Sequence, residues 1–386
     1  MKIEIIHESK KKCNFALPTN KVETIKSGIK ANQIDAFKNK KRQRGVIDLI
    51  TPIYVVGRAS FVGKKEKGGP LGEYFDNVVY DDKNGQNNFE QAEIQLMKDA
   101  TLTAIKNANL QHSDIDMMLA GDLLNQLNVS NYAARDLSLP FLGMYSACSS
   151  FTECLIVGSA MIAGGQVDTA VCSVSSHFAS AERQFRYPLE YGAQKPPYAQ
   201  WTVTGGASMV LCNNPLVTSH REHADNRSHK GGVKITKAMI GRVIDLGTRD
   251  MSNMGAAMAP AFVDTLLRFF ANTHTNVADY DLIVSGDLGK LGSDIASKLA
   301  AEKGVVLQKN YLDCGGIMYA HDQNAYQGGS GPACSGVVIN SYILTKMLLG
   351  EYKKVLYLAT GALMSPQSCF QGETIPCISH AVLFEV

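Results

Sequence analysis

Two stretches of the chain repeat the same order of apolar and polar positions. Asp116–Leu123 is an apolar run that ends in Gly-Asp-Leu, and Asp281–Leu288 has the same form. Each is followed by a turn of small residues, an apolar stretch of about 15 residues that ends at glycine, and another apolar run. The pattern predicts two blocks, each made of a strand, a turn, a buried helix and a second strand.

Strand–helix–strand blocks predict an α/β protein with a mostly parallel sheet that helices cover on both faces. The repeat period of roughly 165–185 residues is too long for a solenoid and fits a duplicated domain. We expect two halves, residues 45–232 and 233–386, related by a pseudo-two-fold axis. Each half is expected to contain one buried central helix, which begins near Cys148 in the first half and near Cys334 in the second.

The end of the first half, residues 217–232, is polar and charged and contains His220, His223 and His229. We interpret it as a surface loop. Three histidines at this spacing could bind a metal, but no fixed fourth ligand follows, and no CxxC pair or HExxH motif occurs. We therefore predict no metal site.

Composition indicates a globular protein, because 45% of the 386 residues are hydrophobic and only 19% are charged. Nine cysteines are too sparse for a disulfide scaffold and fit a reducing cytosol. No signal peptide is visible, and no apolar run approaches the roughly 18 residues of a membrane span. We expect a soluble protein that can still dock onto a membrane partner.

Positive charge is concentrated at the N-terminus. The formal net charge is +2 overall, but residues 1–45 hold twelve Lys or Arg and four Asp or Glu, a net of +8. We interpret residues 1–44 as a basic, flexible extension. Contact with an anionic lipid surface is the alternative, and the lack of interleaved aromatic residues argues against nucleic-acid binding.

Several unusual strings, spread from about Gly45 to the C-terminus, match a known family. They include Gly121–Gln126, Ala147–Ser149, Ala181–Pro188, Gln200–Gly205, Asn253–Ala256, Gly286–Gly289, Gly328–Gly331 and Ala359–Leu363. In these strings the chain resembles the stage V sporulation protein AD family, which is thiolase-like. The resemblance implies a thiolase-like fold, binding of dipicolinic acid, and uptake of that compound into the developing spore. It also implies work beside membrane proteins of the same uptake complex, in the cytoplasm at the inner forespore membrane.

The resemblance to thiolases also implies where chemistry would occur. Their acyl-carrying cysteine corresponds to Cys148, and their Gly-His-Pro turn before the second central helix places a histidine where this chain has Ser330. After the second-half strand they have Asn, or His in related enzymes, where this chain reads Ser-Gly-Asp287. Cysteine attack needs a base, so we expect no catalysis and interpret Cys148 as a relic nucleophile. A working acyltransferase with His177 or His380 as base, and a scaffold without ligand, remain alternatives.

Dipicolinate is flat and doubly negative, so the expected site is a thin slot with two groups of donors. Two helix N-termini supply backbone N–H groups that suit anions. The residues expected at the ligand are Asp122, Asn125, Cys148, Ser149, Ser150, His177, Arg183, Trp201, Ser330, Gly331 and Cys334. No cofactor is expected, and calcium is considered only as part of a calcium–dipicolinate ligand.

Some of these positions also fit a second interpretation. Arg183 could form a surface ion pair with Glu182 or Glu190, His177 could be structural, and Trp201 could belong to the core. Asp122 would repel a dianion, so it either caps backbone N–H groups or contacts calcium.

A homodimer is the expected assembly. Thiolase-fold proteins usually pair through the strand after the first central helix, here near Asp168–Val174. That stretch is apolar, and as a sheet edge it would otherwise be exposed.

Overall fold

The computed structural model describes residues 45–185, 195–214 and 232–386. The predicted basic extension and nearly all of the 217–232 loop lie outside these residues, so both stay predictions.

Thirteen strands are found in the described residues. They are β1 (Val46–Gly63), β2 (Asn77–Val79), β3 (Met117–Gly121), β4 (Phe141–Gly143), β5 (Thr169–Ser176), β6 (Trp201–Thr202), β7 (Gly205–Cys212), β8 (Lys234–Met239), β9 (Leu282–Ser285), β10 (Tyr311–Asp313), β11 (Gly329–Ser330), β12 (Lys354–Ala362) and β13 (Cys377–Glu385).

The helices between them include both predicted central helices. They are α1 (Lys64–Lys67), α2 (Phe89–Asn107), α3 (Asn128–Leu137), α4 (Ser150–Ala163), α5 (Phe178–Phe185), α6 (Met254–Thr273), α7 (Gly289–Glu302), α8 (Cys314–Met318), α9 (Pro332–Val338), α10 (Leu344–Leu348) and α11 (Pro366–Phe370). A π-helical turn, Ile339–Ile343, joins α9 to α10.

The two halves use the same strand order. The main sheet has 11 strands and runs β10-β9-β12-β13-β8-β1-β7-β5-β3-β4, with β2 beside β1. In each half the main strands therefore lie in the order third, second, fourth, fifth, first. This identity of order confirms the predicted duplication and the α/β class.

The sheet is mixed rather than mostly parallel, which corrects the prediction. β3 runs parallel to β4 and β5, and β9 to β10 and β12. The fifth strand of each half, β7 or β13, runs antiparallel to both of its neighbours. These strands lie outside the repeated strand–helix–strand blocks, so the repeat did not reveal their direction.

Burial explains why the central helices are apolar nearly all round. Phe151, Cys154 and Leu155 of α4 are 0% exposed and belong to the main core cluster, and every residue of α9 is buried. Within the π-helical turn, the Asn340 side chain donates to Ala59 O at 2.9 Å and to Ser208 O at 2.8 Å, which ties the turn to β1 and β7. α6 is the described helix that is apolar and long enough to cross a membrane, but it is mostly buried and packs on α7, β12 and β13.

The proposed dimer strand is not an edge of the sheet. β5 pairs with β3 on one side and β7 on the other, and seven of its eight residues are buried. The edge of the first half is β4 instead, where the Leu142 side chain is 48% exposed. Asp168–Val174 therefore cannot pair with a second copy, and a partner strand would have to add to β4.

Candidate functional site

Two tight backbone turns bring Cys148 and Ser330 together. Ala147, just before Cys148, has φ 49°, a left-handed conformation that costs a non-glycine residue about 1–2 kcal/mol. Gly331, just after Ser330, has φ 100°, and a Cβ there would lie 2.7 Å from Ser176 Oγ, so glycine is required. Cys148 Sγ lies 3.9 Å from Ser330 Oγ. The two halves thus meet at a thiol and a hydroxyl.

Asp287 lies directly behind Ser330. Its carboxylate accepts hydrogen bonds from Ser330 Oγ at 3.1 Å, Gly331 N at 3.0 Å and Thr360 Oγ1 at 3.0 Å. The side chain is fully buried, and this burial raises its pKa from 3.8 to about 7, even though hydrogen bonds from Cys148, Gly331 and Thr360 favour the ionised form. Asp287 was not among the expected ligand contacts, although the repeated Gly-Asp pairs it with Asp122, which was.

Asp313 organises the turn around Asp287. Its carboxylate accepts from Ser285 Oγ at 2.7 Å, from Leu288 N and Gly289 N at 2.9 Å, and from Gly316 N at 2.7 Å. Burial raises its pKa to about 6. Because all of these donors belong to β9 and the first turns of α7 and α8, Asp313 holds the backbone that carries Asp287.

The Cys148 thiol is held in its protonated form. Burial raises its pKa well above 9.0, and the negative charge of Asp287 raises it further. A reactive cysteine needs the opposite environment, with a cation or a base that favours the thiolate. With its pKa raised in this way, Cys148 is a thiol at neutral pH and can act as a weak S–H donor.

Neither candidate histidine base is hydrogen-bonded to Cys148. His380 accepts from Gly241 N at 3.1 Å, so its other ring nitrogen donates to Ser146 Oγ at 3.1 Å, and burial lowers its pKa to about 4. His177 accepts from Ala179 N at 3.1 Å and donates to Asp82 O at 2.8 Å. In both histidines, each ring nitrogen therefore has a hydrogen-bond partner other than Cys148, and the neutral ring has a structural role.

Cys148 and Ser330 form the floor of a narrow cavity of about 40 Å³. A cavity of this volume has room for about three water molecules. The walls are mostly apolar and include three methionines. The lining residues are Leu123, Tyr145, Ala147, Cys148, Ala181, Glu182, Phe185, Thr202, Met251, Met254, Ser330, Ala362 and Met364.

The remaining serines and cysteine expected at the ligand, Ser149, Ser150 and Cys334, are buried and do not line the cavity. Ser149 Oγ donates to Ser146 O and Ser150 Oγ to Ala147 O, both at 2.7 Å. Cys334 is 0% exposed. The Gly331 N–H is already bonded to Asp287, so the second helix terminus is occupied by a carboxyl of the protein itself.

Asp122 and Asn125 lie away from the cavity. The Asp122 carboxylate accepts from Leu124 N at 2.8 Å, Ser130 N at 2.8 Å and Ser130 Oγ at 2.6 Å, as the capping interpretation predicts. Asn125 lines a separate, open groove and its backbone N–H donates to Gln184 Oε1 at 2.8 Å.

The expected cation and aromatic residue are also engaged elsewhere. Arg183 forms an ion pair at 2.9 Å with Glu90, a partner that the sequence did not suggest, and 47% of its side chain is exposed. Trp201 is not in the cavity wall and packs beneath the ammonium groups of Lys65, at 4.3 Å, and Lys195, at 4.2 Å. Lys195 also lies 2.5 Å from Glu182 Oε1, which places a buried cation beside the wall.

Solved structures define the class of protein. An OleA variant from Xanthomonas campestris is 14% identical, with a TM-score of 0.58 over 89% of this chain and 99% of that chain. The 3-oxoacyl-(acyl-carrier-protein) synthase III of Aquifex aeolicus VF5 is 11% identical, with a TM-score of 0.51 over 86% of this chain and 100% of that chain. At such identities the likeness shows the fold alone, and it is the thiolase-like fold.

The family within this class follows from sequence. The family described as Stage V sporulation protein AD matches residues 43–385. A protein of that name from Bacillus subtilis (strain 168) is 45% identical over 334 residues, which cover 86% of this chain and 94% of the relative. The chain belongs to the Stage V sporulation protein AD family.

Proposed function

We propose that this chain is a non-catalytic binding protein for pyridine-2,6-dicarboxylate (dipicolinic acid) that acts in its uptake by the developing spore. The observation that carries the proposal is the floor of the cavity. Where condensing chemistry needs a base beside the cysteine, Ser330 stands in front of a buried carboxyl, and the thiol is held protonated. Such a floor donates hydrogen bonds and does not attack.

The chemistry of the cavity suits a flat aromatic acid. One carboxylate meets the Ser330 hydroxyl, the Cys148 thiol and the positive end of α4, which begins two residues after Cys148. The ring lies between apolar walls such as Leu123 and Phe185. Lys195, rather than Arg183, is the cation for the second carboxylate, because it lies beside the cavity wall through Glu182.

A ligand of twelve heavy atoms needs more room than the described cavity provides. Met251, Met254 and Met364 supply it, because unbranched thioether side chains change rotamer at low cost. Binding therefore includes displacement of these methionines from the lining of the cavity.

Titration calorimetry tests the proposal directly. Pyridine-2,6-dicarboxylate is expected to bind at least tenfold more tightly than pyridine-2-carboxylate, because a charge-assisted hydrogen bond contributes about 1.5–3 kcal/mol. Absence of binding would leave the scaffold alternative. Formation of a Cys148 thioester with acyl-CoA, read by intact mass, would instead establish the acyltransferase.

Assembly completes the proposal. The protein acts in the cytoplasm, at the inner forespore membrane, beside membrane proteins of the uptake complex, and as a homodimer that pairs through β4. Membership of a sporulation protein family supports the location, and the exposed β4 edge supports the dimer. Fractionation of sporulating cells, with and without the membrane subunits, tests the attachment: a protein that stays soluble in both would contradict it.

A further inference from the structure

Ser330 has one hydroxyl hydrogen, and two acceptors need it when a ligand is bound. In the structure that hydrogen is donated to Asp287 at 3.1 Å. The same hydroxyl faces the cavity, beside Cys148 Sγ at 3.9 Å. A carboxylate ligand on the cavity floor must therefore take the hydrogen from Asp287.

No cation is found among the titratable groups that face Asp287 from the surrounding elements of the described chain. These groups are Cys148 before α4, Asp313 at the end of β10, Cys314 of α8, Cys334 of α9, Tyr357 of β12 and Cys377 of β13. At the cavity wall, the charges of Glu182 and Lys195 face each other. A ligand carboxylate thus adds a second negative charge next to Asp287 with little to offset it.

We propose that a carboxylate ligand binds at Ser330 together with one proton, which Asp287 takes up, so that Asp287 is the positioning residue for ligand binding. This inference rests on the proposed function. The proton comes from the buffer, and the only bond formed is the O–H bond of the Asp287 carboxyl. The neutral carboxyl then competes weakly for the Ser330 hydrogen, which is left for the charged ligand.

The raised pKa of Asp287 makes this proton uptake measurable near neutral pH. Because burial raises its pKa to about 7, the carboxyl is mostly ionised at pH 8 and mostly protonated at pH 5.5. We expect close to one proton taken up per ligand at pH 8 and close to none at pH 5.5. Above pH 7, the Kd for pyridine-2,6-dicarboxylate should rise up to about tenfold per pH unit.

Calorimetry in two buffers of different ionisation enthalpy counts the protons. The full chain is titrated with pyridine-2,6-dicarboxylate at pH 8, as wild type and as two variants. Asp287→Asn is expected to take up no proton and to bind at least tenfold more tightly than wild type at pH 8. Glu153→Gln is the matched control, because burial also raises the pKa of Glu153 to about 7 but the residue does not line the cavity.

The outcomes separate this inference from the proposed function. Binding without proton uptake, or equal uptake by wild type and Asp287→Asn, would overturn the role of Asp287 while the binding function stood. Loss of proton uptake in Glu153→Gln would show that Glu153, not Asp287, takes up the proton, and it would also overturn the role of Asp287. Absence of binding by wild type at both pH values would refute the proposed function itself. In a Ser330→Ala background, the increase in ligand affinity caused by Asp287→Asn should be smaller, because that increase depends on the Ser330 hydroxyl.

Discussion

Replacing Asp287 with Asn should stabilise the folded protein, by an amount that depends on pH. The pKa of Asp287 is raised from 3.8 to about 7 in the folded state. Well below pH 4 the carboxyl is protonated in both the folded and unfolded states, so its ionisation does not change the free energy of unfolding. Between pH 4 and 7 only the unfolded state loses the proton, so the free energy of unfolding falls by about 1.4 kcal/mol per pH unit. Above pH 7 both states are ionised, and the total decrease in the free energy of unfolding levels off at about 4 kcal/mol.

Asn fits the same hydrogen-bond pattern without a charge. Its oxygen can accept from Gly331 N and Ser330 Oγ, and its NH₂ group can donate to Thr360 Oγ1, whose hydroxyl is able to rotate. The variant should therefore resemble protonated Asp287. Its advantage in free energy of unfolding over wild type should grow by about 2–3 kcal/mol between pH 5 and 7.5.

Urea unfolding followed by circular dichroism at pH 5, 6, 7 and 7.5 measures this difference. Asp313 and Glu93, whose pKa burial also raises, lower the stability of both proteins as the pH rises, so only the difference is interpreted. Asp294→Asn on the exposed face of α7 is the control and should show no such growth. A gain from Asp287→Asn that is the same at pH 5 and 7.5 would refute the argument that burial keeps this carboxyl protonated.

Three further predictions concern ligand, chemistry and assembly. Cys148→Ala should leave the dipicolinate affinity within about tenfold of wild type by calorimetry, because one thiol contact contributes roughly 1 kcal/mol; a larger loss would show that the thiol is essential. Lys195→Gln should weaken dipicolinate binding more than tenfold, whereas Arg183→Gln should change the affinity less than twofold. The reverse result would show that Arg183, not Lys195, binds the second carboxylate. Leu142→Lys at the β4 edge should convert a dimer to a species near 41.8 kDa by light scattering, and Leu349→Lys should not; a wild-type monomer would contradict the dimer.

The fold was largely predictable because burial leaves a periodic pattern in the sequence. The apolar runs ending in Gly-Asp gave β3 and β9, and the apolar stretches ending at glycine gave the buried helices. Strand direction was harder, since an apolar strand reads the same in a parallel or antiparallel sheet. For the same reason the sequence wrongly predicts a sheet edge at Asp168–Val174, which is apolar because it is buried between β3 and β7.

Individual site residues were predicted less well, because side-chain partners are set by tertiary contacts. Cys148 and Ser330 are expected at the ligand, and both line the cavity. Arg183 pairs with Glu90, which lies 93 positions earlier in the chain, and no local pattern shows such a partner. The repeated Gly-Asp turn is the signal that points to Asp287, because its counterpart in the first copy, Asp122, is a candidate site residue. The two copies have diverged, one into a loop cap and the other into the support of Ser330.

β1 has a consequence for how the chain folds. Val46–Asp48 and Ile53–Tyr54 pair with β8, and residues from Tyr54 to Val62 pair with β7, so one strand belongs to the hydrogen-bond ladders of both halves. Neither half can complete its sheet alone, because each would present a long unpaired edge. The duplicated halves should therefore unfold in a single cooperative transition, and separately expressed halves should aggregate unless they are refolded together.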